Sequence, residues 1–327
     1  MNWRRQLRVD LIPKLLNSQD KAIVYFTRRD ILGEEVGPTS SVWELPEVQK
    51  LLRKQSGGGG WEKAGKDSKI YPPYYYNLVE TYKRFRLLVE RYELKKDHPA
   101  IAKAAEFLFS CQTEEGDIRG FIGNQYATYY TGYILSLLSK AGYENDPRVK
   151  KGMQWLLTVR QDDGGWTVPF VTHEYDREMW LRLTSRYAEP VLPDRTKPFS
   201  HMATDMALRA FAAHSKYKNS KEARAAGSLL KSRFFKPDAY TSYQSPKYWT
   251  RFMFWWPNLL TSLESLASLG FSKDDPDIKK ALDWFIDNQQ ADGLWKLESD
   301  KVVKAKDMGE RRWVGLRVGR VLKKLYM

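Results

Sequence analysis

Apolar residues recur at three- and four-residue intervals along much of this chain, as Ile134, Leu137, Leu138 and Ala141 do. That spacing marks one face of an α-helix. It predicts helices in residues 77–92, 127–142, 201–216, 258–270 and 312–326, while the alternation expected of strands is scarce. Between these runs lie phrases of a second kind: "VQKLLRKQSGGGGW" ending at Trp61, "AAEFLFSCQTEEGDI" at Ile118, "GMQWLLTVRQDDGGW" at Trp166 and "ALDWFIDNQQADGLW" at Trp295. Each joins an apolar helical stretch, a Gln, an acidic or glycine-rich turn and a large apolar residue. Gln55, Gln112 and Gln289 share the spacing Q-x-x-x-G-x-[W/I], and Gln161 falls one residue short of it. A degenerate copy, "AGSLLKSRFFKPDAY" at 226–240, has lost both signature residues.

The chain therefore reads as α-hairpins repeating roughly every 50–70 residues, the regime of repeat architectures. Three linkers, "KKDHPAI", "ENDPRV" and "KDDPDI", place Asp ahead of Pro, so that Asp caps a helix whose first turn holds the proline. Within the repeat, Gly164 and Gly165 suit a chain reversal. A Gln amide satisfies backbone groups orphaned at a helix end, and an indole covers them. Gln161 and Trp166 are thus expected to be structural staples. Residues 1–44 do not repeat; "KAIVYFTRRDILG" predicts a helix ending at Gly33, followed by the linker "GPTSS".

The phrases "FLFSCQTEEGDIRGFIGNQYATYYTGYILSLLSKAG", "WLLTVRQDDGGW" and "WFIDNQQADGLW" resemble the prenyltransferase and squalene-oxidase (QW) repeat of triterpene cyclases and protein prenyltransferase β subunits. The likeness spans about residues 45–327, and the N-terminal segment resembles short microbial proteins carrying the same repeat. It implies an all-α fold of the α/α-toroid class, about five or six hairpins in inner and outer rings around a cavity. A helical extension at 1–44 and a long loop at 167–200 would complete it. The departures are as informative. Triterpene cyclases begin with a D-x-D-D acid motif that this chain lacks, and the zinc site of protein prenyltransferases needs a cysteine that Cys111, inside the repeat phrase "SCQ", does not supply.

Composition narrows the partners. With 42% hydrophobic and 29% charged residues the chain is globular, and no apolar run approaches the roughly 20 residues of a membrane span. The start "MNWRRQLRVDLIPKLL" lacks the pattern of a secretory signal, so a cytoplasmic protein is expected. Cys111 is the sole cysteine, which excludes an internal disulfide and a multi-cysteine zinc site. The net charge of +14 suits an anionic partner, or a lysine-rich surface of a hot-living source.

Carried onto the expected inner helices, the family's cavity-lining positions are rich in aromatics: Tyr75, Tyr129, Tyr130, Trp255, Trp256 and Trp313, with Arg251 and Arg312 beside them. Electron-rich rings pack against lipid chains and stabilise cations through their faces; arginine forks suit phosphate or carboxylate. His201 and Asp205, four apart on one helical face, are the candidate acid/base pair, and with His173 or Glu174 of the 167–200 segment they would make either that pair or a metal site. That segment is expected to cover the cavity mouth and to deliver Arg177, Arg182 and Arg186. No Walker loop or dinucleotide fingerprint appears, so neither cofactor nor metal is expected. The leading expectation is a squalene cyclase/prenyltransferase-like protein binding, and converting if it is an enzyme, an isoprenoid-like amphipathic ligand with an anionic group. The rivals are a carbohydrate-active toroid acting on acidic sugars and a non-catalytic scaffold that meets nucleic acid or, peripherally, an anionic membrane. Nothing in the sequence calls for an obligate partner subunit.

Overall fold

A computed structural model describes residues 3–65, 70–240, 245–252, 256–298 and 301–327. In chain order its helices are α1 (Ile12–Leu16), α2 (Lys21–Phe26), α3 (Ser40–Trp43), α4 (Pro46–Leu52), α5 (Tyr75–Glu90), α6 (Pro99–Ser110) and α7 (Thr128–Leu138). They continue with α8 (Pro147–Thr158), α9 (Arg177–Leu183), α10 (His201–Ala213), α11 (Lys221–Ser232), α12 (Leu259–Ser268), α13 (Pro276–Asp287) and α14 (Met308–Tyr326). Among the described residues there is no strand, only isolated bridges such as Gln112 with Ile118. The protein is all-α, as the α/α repeat reading expects.

The chain forms two compact units. The central unit holds Pro46–Leu229 and Ala239–Thr241; the terminal unit holds Met1–Leu45, Leu230–Asp238 and Ser242–Met327. Residues 1–45 pack with the C-terminal helices. Trp313 of α14 donates its indole N–H to Asp20 at 3.0 Å, Arg320 pairs with Asp30, and Lys323 reaches the Asp30 carbonyl at 2.7 Å. As expected, the helical segment begun by α2 ends at Gly33 (φ 73°), after a wide π turn over Thr27–Leu32.

Helix starts follow the expected linker chemistry in two of three cases. Asp146 accepts from the Arg148 N–H (2.8 Å) and Asp275 from the Asp277 N–H (3.1 Å), each directly before the proline that opens its helix. In "KKDHPAI" the cap is His98, not Asp97: its Nδ1 accepts from the Ala100 N–H at 3.2 Å. Pro99 fixes the first helical residue, so the capping position falls on its immediate neighbour.

The repeat turns share one construction. Gln55 donates to the carbonyls of Gly59 (2.6 Å) and Ala100 (2.7 Å), and Gln112 to those of Gly116 (2.7 Å) and Arg148 (2.9 Å). Gln289 donates to Gly293 (2.9 Å) and Val9 (2.8 Å). One amide thus closes its own turn and grips the start of another segment. In the remaining copy the turn-closing residue is Arg160, whose guanidinium reaches the Gly164 carbonyl at 2.7 Å. Arg160 has the Q-x-x-x-G-x-W spacing that Gln161 lacks. Gln161, one step on, instead holds the carbonyls of Asp194 (2.8 Å) and Lys197 (2.9 Å) at the far end of the 167–200 segment.

The indoles close the motif. Trp61, Trp166 and Trp295 are buried and donate to Leu51, Leu156 and Phe285 carbonyls at 2.7–2.9 Å, each ten residues upstream in the preceding helix. Gly59, Gly116, Gly164 and Gly293 all have positive φ. At Gly116 a Cβ would also lie 2.8 Å from the Lys151 carbonyl, so both the backbone angle and the close approach demand glycine. Three threonines that the pattern does not reveal complete the joint: Thr81, Thr131 and Thr204 accept from the backbone N–H groups of Trp61, Ile118 and Trp166 at 2.8–3.0 Å. In the Trp295 copy Arg311 takes that place, donating to the Trp295 carbonyl (2.9 Å) and, twice, to Asp292 (2.7 and 2.8 Å). The degenerate copy has no such joint; there Trp249 reaches back to the Lys236 carbonyl at 2.9 Å.

Trp166→Ala and Trp295→Ala should each destabilise the protein by about 3–5 kcal/mol, the usual cost of emptying a large aromatic site. Urea denaturation checks this, and a loss below about 1 kcal/mol would show that the indoles are not the staples.

A candidate aromatic site in the central unit

Helix α5 brings Tyr75, Tyr76 and Tyr82 to the site, α7 brings Tyr129, Tyr130 and Tyr133, and the turn between α6 and α7 brings Phe121. Tyr71 and Tyr75 stack at 3.7 Å, Phe121 and Tyr130 at 3.8 Å, and Tyr129 meets Tyr130 at 4.5 Å. Tyr129 also lies within electrostatic reach of Tyr71, Tyr75 and Tyr82, which joins the rings into one cluster. Tyr71, Tyr75, Tyr76, Tyr129 and Tyr130 are half-buried; Tyr82, Phe121 and Tyr133 form a buried floor. Tyr82 meets Phe121, Tyr130 and Tyr133 edge-on at 5.4–5.9 Å, the geometry that puts ring edges against ring faces.

Beneath the floor a polar chain runs from the buried Asp205 to the exposed Lys140. Asp205 pairs with Arg209 at 2.7 Å, the Arg209 guanidinium lies 4.6 Å from the Tyr133 ring, Tyr133 donates its hydroxyl to Glu90, and Glu90 pairs with Lys140 at 2.6 Å. Arg86, also buried, lies 5.5 Å from the Tyr82 ring. Helices α7 and α10 approach closely enough to build this chain because Gly132 faces Ala207; a Cβ there would sit 2.5 Å from the Ala207 Cα. Burial pushes the Tyr130 hydroxyl up to about 12 and raises that of Tyr129 well above the usual phenol range, so both are neutral hydrogen-bonding groups. The buried Tyr82 hydroxyl has no hydrogen-bond acceptor.

The sequence candidates separate between the units. Tyr75, Tyr129, Tyr130, His201 and Asp205 belong to the central unit. Arg251, Trp256, Arg312 and Trp313 belong to the terminal unit, and Trp255 lies outside the described residues. His201 is buried in the first turn of α10, and the Asp205 carboxylate is taken by Arg209. Trp313 is sealed in the packing between α14 and α2, with Phe26 at 6.4 Å. Arg251 pairs with Glu298 at 3.3 Å and lies 5.1 Å from the Tyr248 ring. Trp256 and Arg312 are half-buried.

The 167–200 segment is built rather than loose. It contains α9 and is strapped by Gln125, which donates to the Leu183 and Glu189 carbonyls and accepts from the Val191 N–H, all at 2.9 Å. Arg177 and Arg182 are exposed and Arg186 half-buried, with its guanidinium on the Tyr187 ring. His173 bonds the Leu192 carbonyl within the segment (2.9 Å). The residues that sequence reasoning missed, Tyr82, Phe121, Tyr133, Arg86 and Arg209, had only helical spacing to announce them: Tyr82 lies two turns from Tyr75, Tyr133 one turn from Tyr129, and Arg209 four residues from Asp205.

Residues 83–185, from within α5 to just beyond α9, match the squalene-hopene cyclase C-terminal domain family. This stretch is squalene-hopene cyclase-like. A probable squalene–hopene cyclase of Sinorhizobium fredii is 30% identical over 91 residues, 28% of this chain and 14% of that protein. The squalene–hopene cyclase of Bradyrhizobium diazoefficiens is 30% identical over 95 residues, 29% of this chain and again 14% of the relative. The matched part of this chain thus spans about a seventh of the length of these curated relatives. Among solved structures, a variant of the type II terpene cyclase MstE from Scytonema, in complex with geranylgeranyl dihydroxybenzoate, aligns over 88% of this chain and 97% of its own at 15% identity, with a TM-score of 0.35. The cyclase-like stretch contains Tyr129, Tyr130, Phe121 and Tyr133 but ends before His201 and Asp205.

Tyr82→Phe should shift the melting temperature by no more than a few degrees, because the buried hydroxyl has no acceptor and its polar neighbour is the Arg86 guanidinium. A fall of several degrees in differential scanning calorimetry would mean that the hydroxyl is a structural bond.

Proposed function

We propose that the central unit binds an isoprenoid-like amphipathic ligand with an anionic group against this aromatic cluster. The observation that carries the reading is the cluster's layering: five half-buried tyrosines over a floor of three buried rings, with two buried arginines beneath or beside them. Half-buried ring faces give an apolar chain a surface to cover, at roughly 25 cal/mol per Å² removed from water. The Arg86 guanidinium beside the Tyr82 ring, in a poorly hydrated setting, favours an anionic group over a neutral one. The cyclase-like match over part of the same helices supports the isoprenoid class, and the aromatic faces suit a cationic centre as well as a chain. Asp205, held as the partner of Arg209, is assigned to positioning that arginine rather than to donating a proton.

Geranylgeranyl diphosphate is the probe. It should raise the melting temperature of the protein, since a ligand at a hundredfold its Kd stabilises by about 2.7 kcal/mol. Tyr130→Ala should abolish that rise, while Trp295→Ala, in the other unit, should lower the starting temperature and keep it. No rise in the unaltered protein, or a full rise in Tyr130→Ala, would contradict the reading.

A further inference from the structure

The terminal unit carries an open groove of about 460 Å³, lined by Lys279, Lys280, Asp283, Trp284 and Asp287 of α13 and by Phe235 of the turn after α11. That size lies within the range of small-molecule sites. Two of its residues are arranged in ways that core packing does not explain. Phe235 has a φ of 62°, in the left-handed region that a bulky side chain enters only at a cost of about 1–3 kcal/mol. Bonds on either side hold it there: the Lys236 N–H to the Arg233 carbonyl (2.9 Å), the Arg233 guanidinium to the Pro237 carbonyl, and the Trp249 indole to the Lys236 carbonyl (2.9 Å). The turn separates two consecutive phenylalanines. Phe234 is buried edge-on against Trp249 at 5.2 Å, whereas Phe235 is half-buried and lines the groove. Glycine would take the same backbone angle without strain, so the strain is tied to having a ring at this wall. Trp284 stands half-buried on two buried rings, Phe252 at 5.7 Å and Phe285 at 5.3 Å. Unlike those of Trp249 and Trp295 in the same unit, its indole N–H has no acceptor among the described residues.

The charges around these rings balance, which decides the class of ligand. Lys279 pairs with Asp283 at 2.7 Å, Lys280 lies 5.3 Å from the Phe235 ring, and Asp287 is exposed, with Arg8 spent on its backbone carbonyl at 3.0 Å. Two ammonium groups and two carboxylates line the groove of a chain whose net charge is +14. A phosphate drawn to the lysines would meet Asp283 and Asp287 beside them, so neither a nucleotide nor a polyanion is favoured here. What the groove offers is aromatic faces, a free indole N–H, and acceptors and donors in equal number. A pyranose with equatorial hydroxyls has the matching surface: axial C–H groups make its ring faces apolar, and its rim of hydroxyls both donates and accepts. Carboxylates accept from such hydroxyls, while ammonium and indole N–H groups donate to them. We propose that this groove binds a neutral oligosaccharide of equatorial pyranose rings, of which a β-linked glucan is the simplest, with Trp284 and Phe235 as its platform and Asp287 and Lys280 on its hydroxyls. The groove belongs to the other compact unit from the tyrosine cluster, and its assignment does not depend on the isoprenoid reading.

Saturation-transfer difference NMR on the full chain with cellotetraose tests it. Saturation should pass from the protein to the sugar, most strongly at the axial C–H protons that face the rings. Phe235→Gly should weaken binding about tenfold or more, the usual weight of an aromatic anchor. It should leave the melting temperature within a few degrees, because glycine relieves the left-handed backbone as the ring is lost. Asp287→Asn, at an exposed side chain, should weaken binding severalfold with no change in melting temperature. Absence of transfer to cellotetraose, or transfer that both variants leave unaltered, would overturn the assignment. So would adenosine monophosphate taking up saturation in place of the sugar, which would give the groove to a nucleotide.

Discussion

Everything regular in this protein hangs on the carbonyl of a glycine that has turned into positive φ at the end of a helix. That turn orphans backbone acceptors, and burying them unpaired would cost about 1–3 kcal/mol apiece. The residue four positions earlier supplies the donor: Gln55, Gln112, Arg160 or Gln289. A planar amide has two N–H groups, so the glutamines use one for the turn and one for the backbone of another segment, Ala100, Arg148 or Val9. The indole then needs an acceptor of its own and finds it one helix back. Joining adjacent hairpins and satisfying the turn are thus a single event, and the same solution serves both compact units.

The exception explains a second feature. Arginine at 160 closes its turn with the guanidinium, through Nε and a terminal nitrogen together, and makes no bond to a following helix start. That leaves Gln161 available, and it holds Asp194 and Lys197 instead. A one-residue displacement of the glutamine is therefore matched to a long insertion: the repeat that would have gripped the next helix directly grips the end of the inserted segment. Gln125 secures the other side of that segment, so α9 and its sequel stand on a rigid base.

Much of this was legible in the sequence for reasons of period and of glycine chemistry. Helical spacing located α5, α7, α10, α12 and α14, and the recurrence of Gln, Gly and Trp located the turns. Arg160 was not legible, because a glutamine stood beside it and residue type outweighed spacing. Thr81, Thr131 and Thr204 escaped because their separation from the turn differs in every copy, being set by the connection rather than by the helix. The site was readable only in outline. Tyr75, Tyr129 and Tyr130 announced themselves as clusters near helix starts, whereas Tyr82 and Tyr133 look like any core aromatic until their neighbours are known. Trp313 had the same sequence signature as the tyrosines and proves to be packing between α14 and α2.

The central claim is that the three repeat indoles are structural bonds sealed inside the hairpin joints. Hydrogen exchange of the twelve tryptophan indole N–H groups, read by NMR on tryptophan-labelled protein, tests it most directly. Trp61, Trp166 and Trp295 should exchange only on unfolding of the unit that holds them, while the half-exposed Trp180 exchanges freely. If the three exchange at the rate of Trp180, the joints are open in solution and the account is wrong.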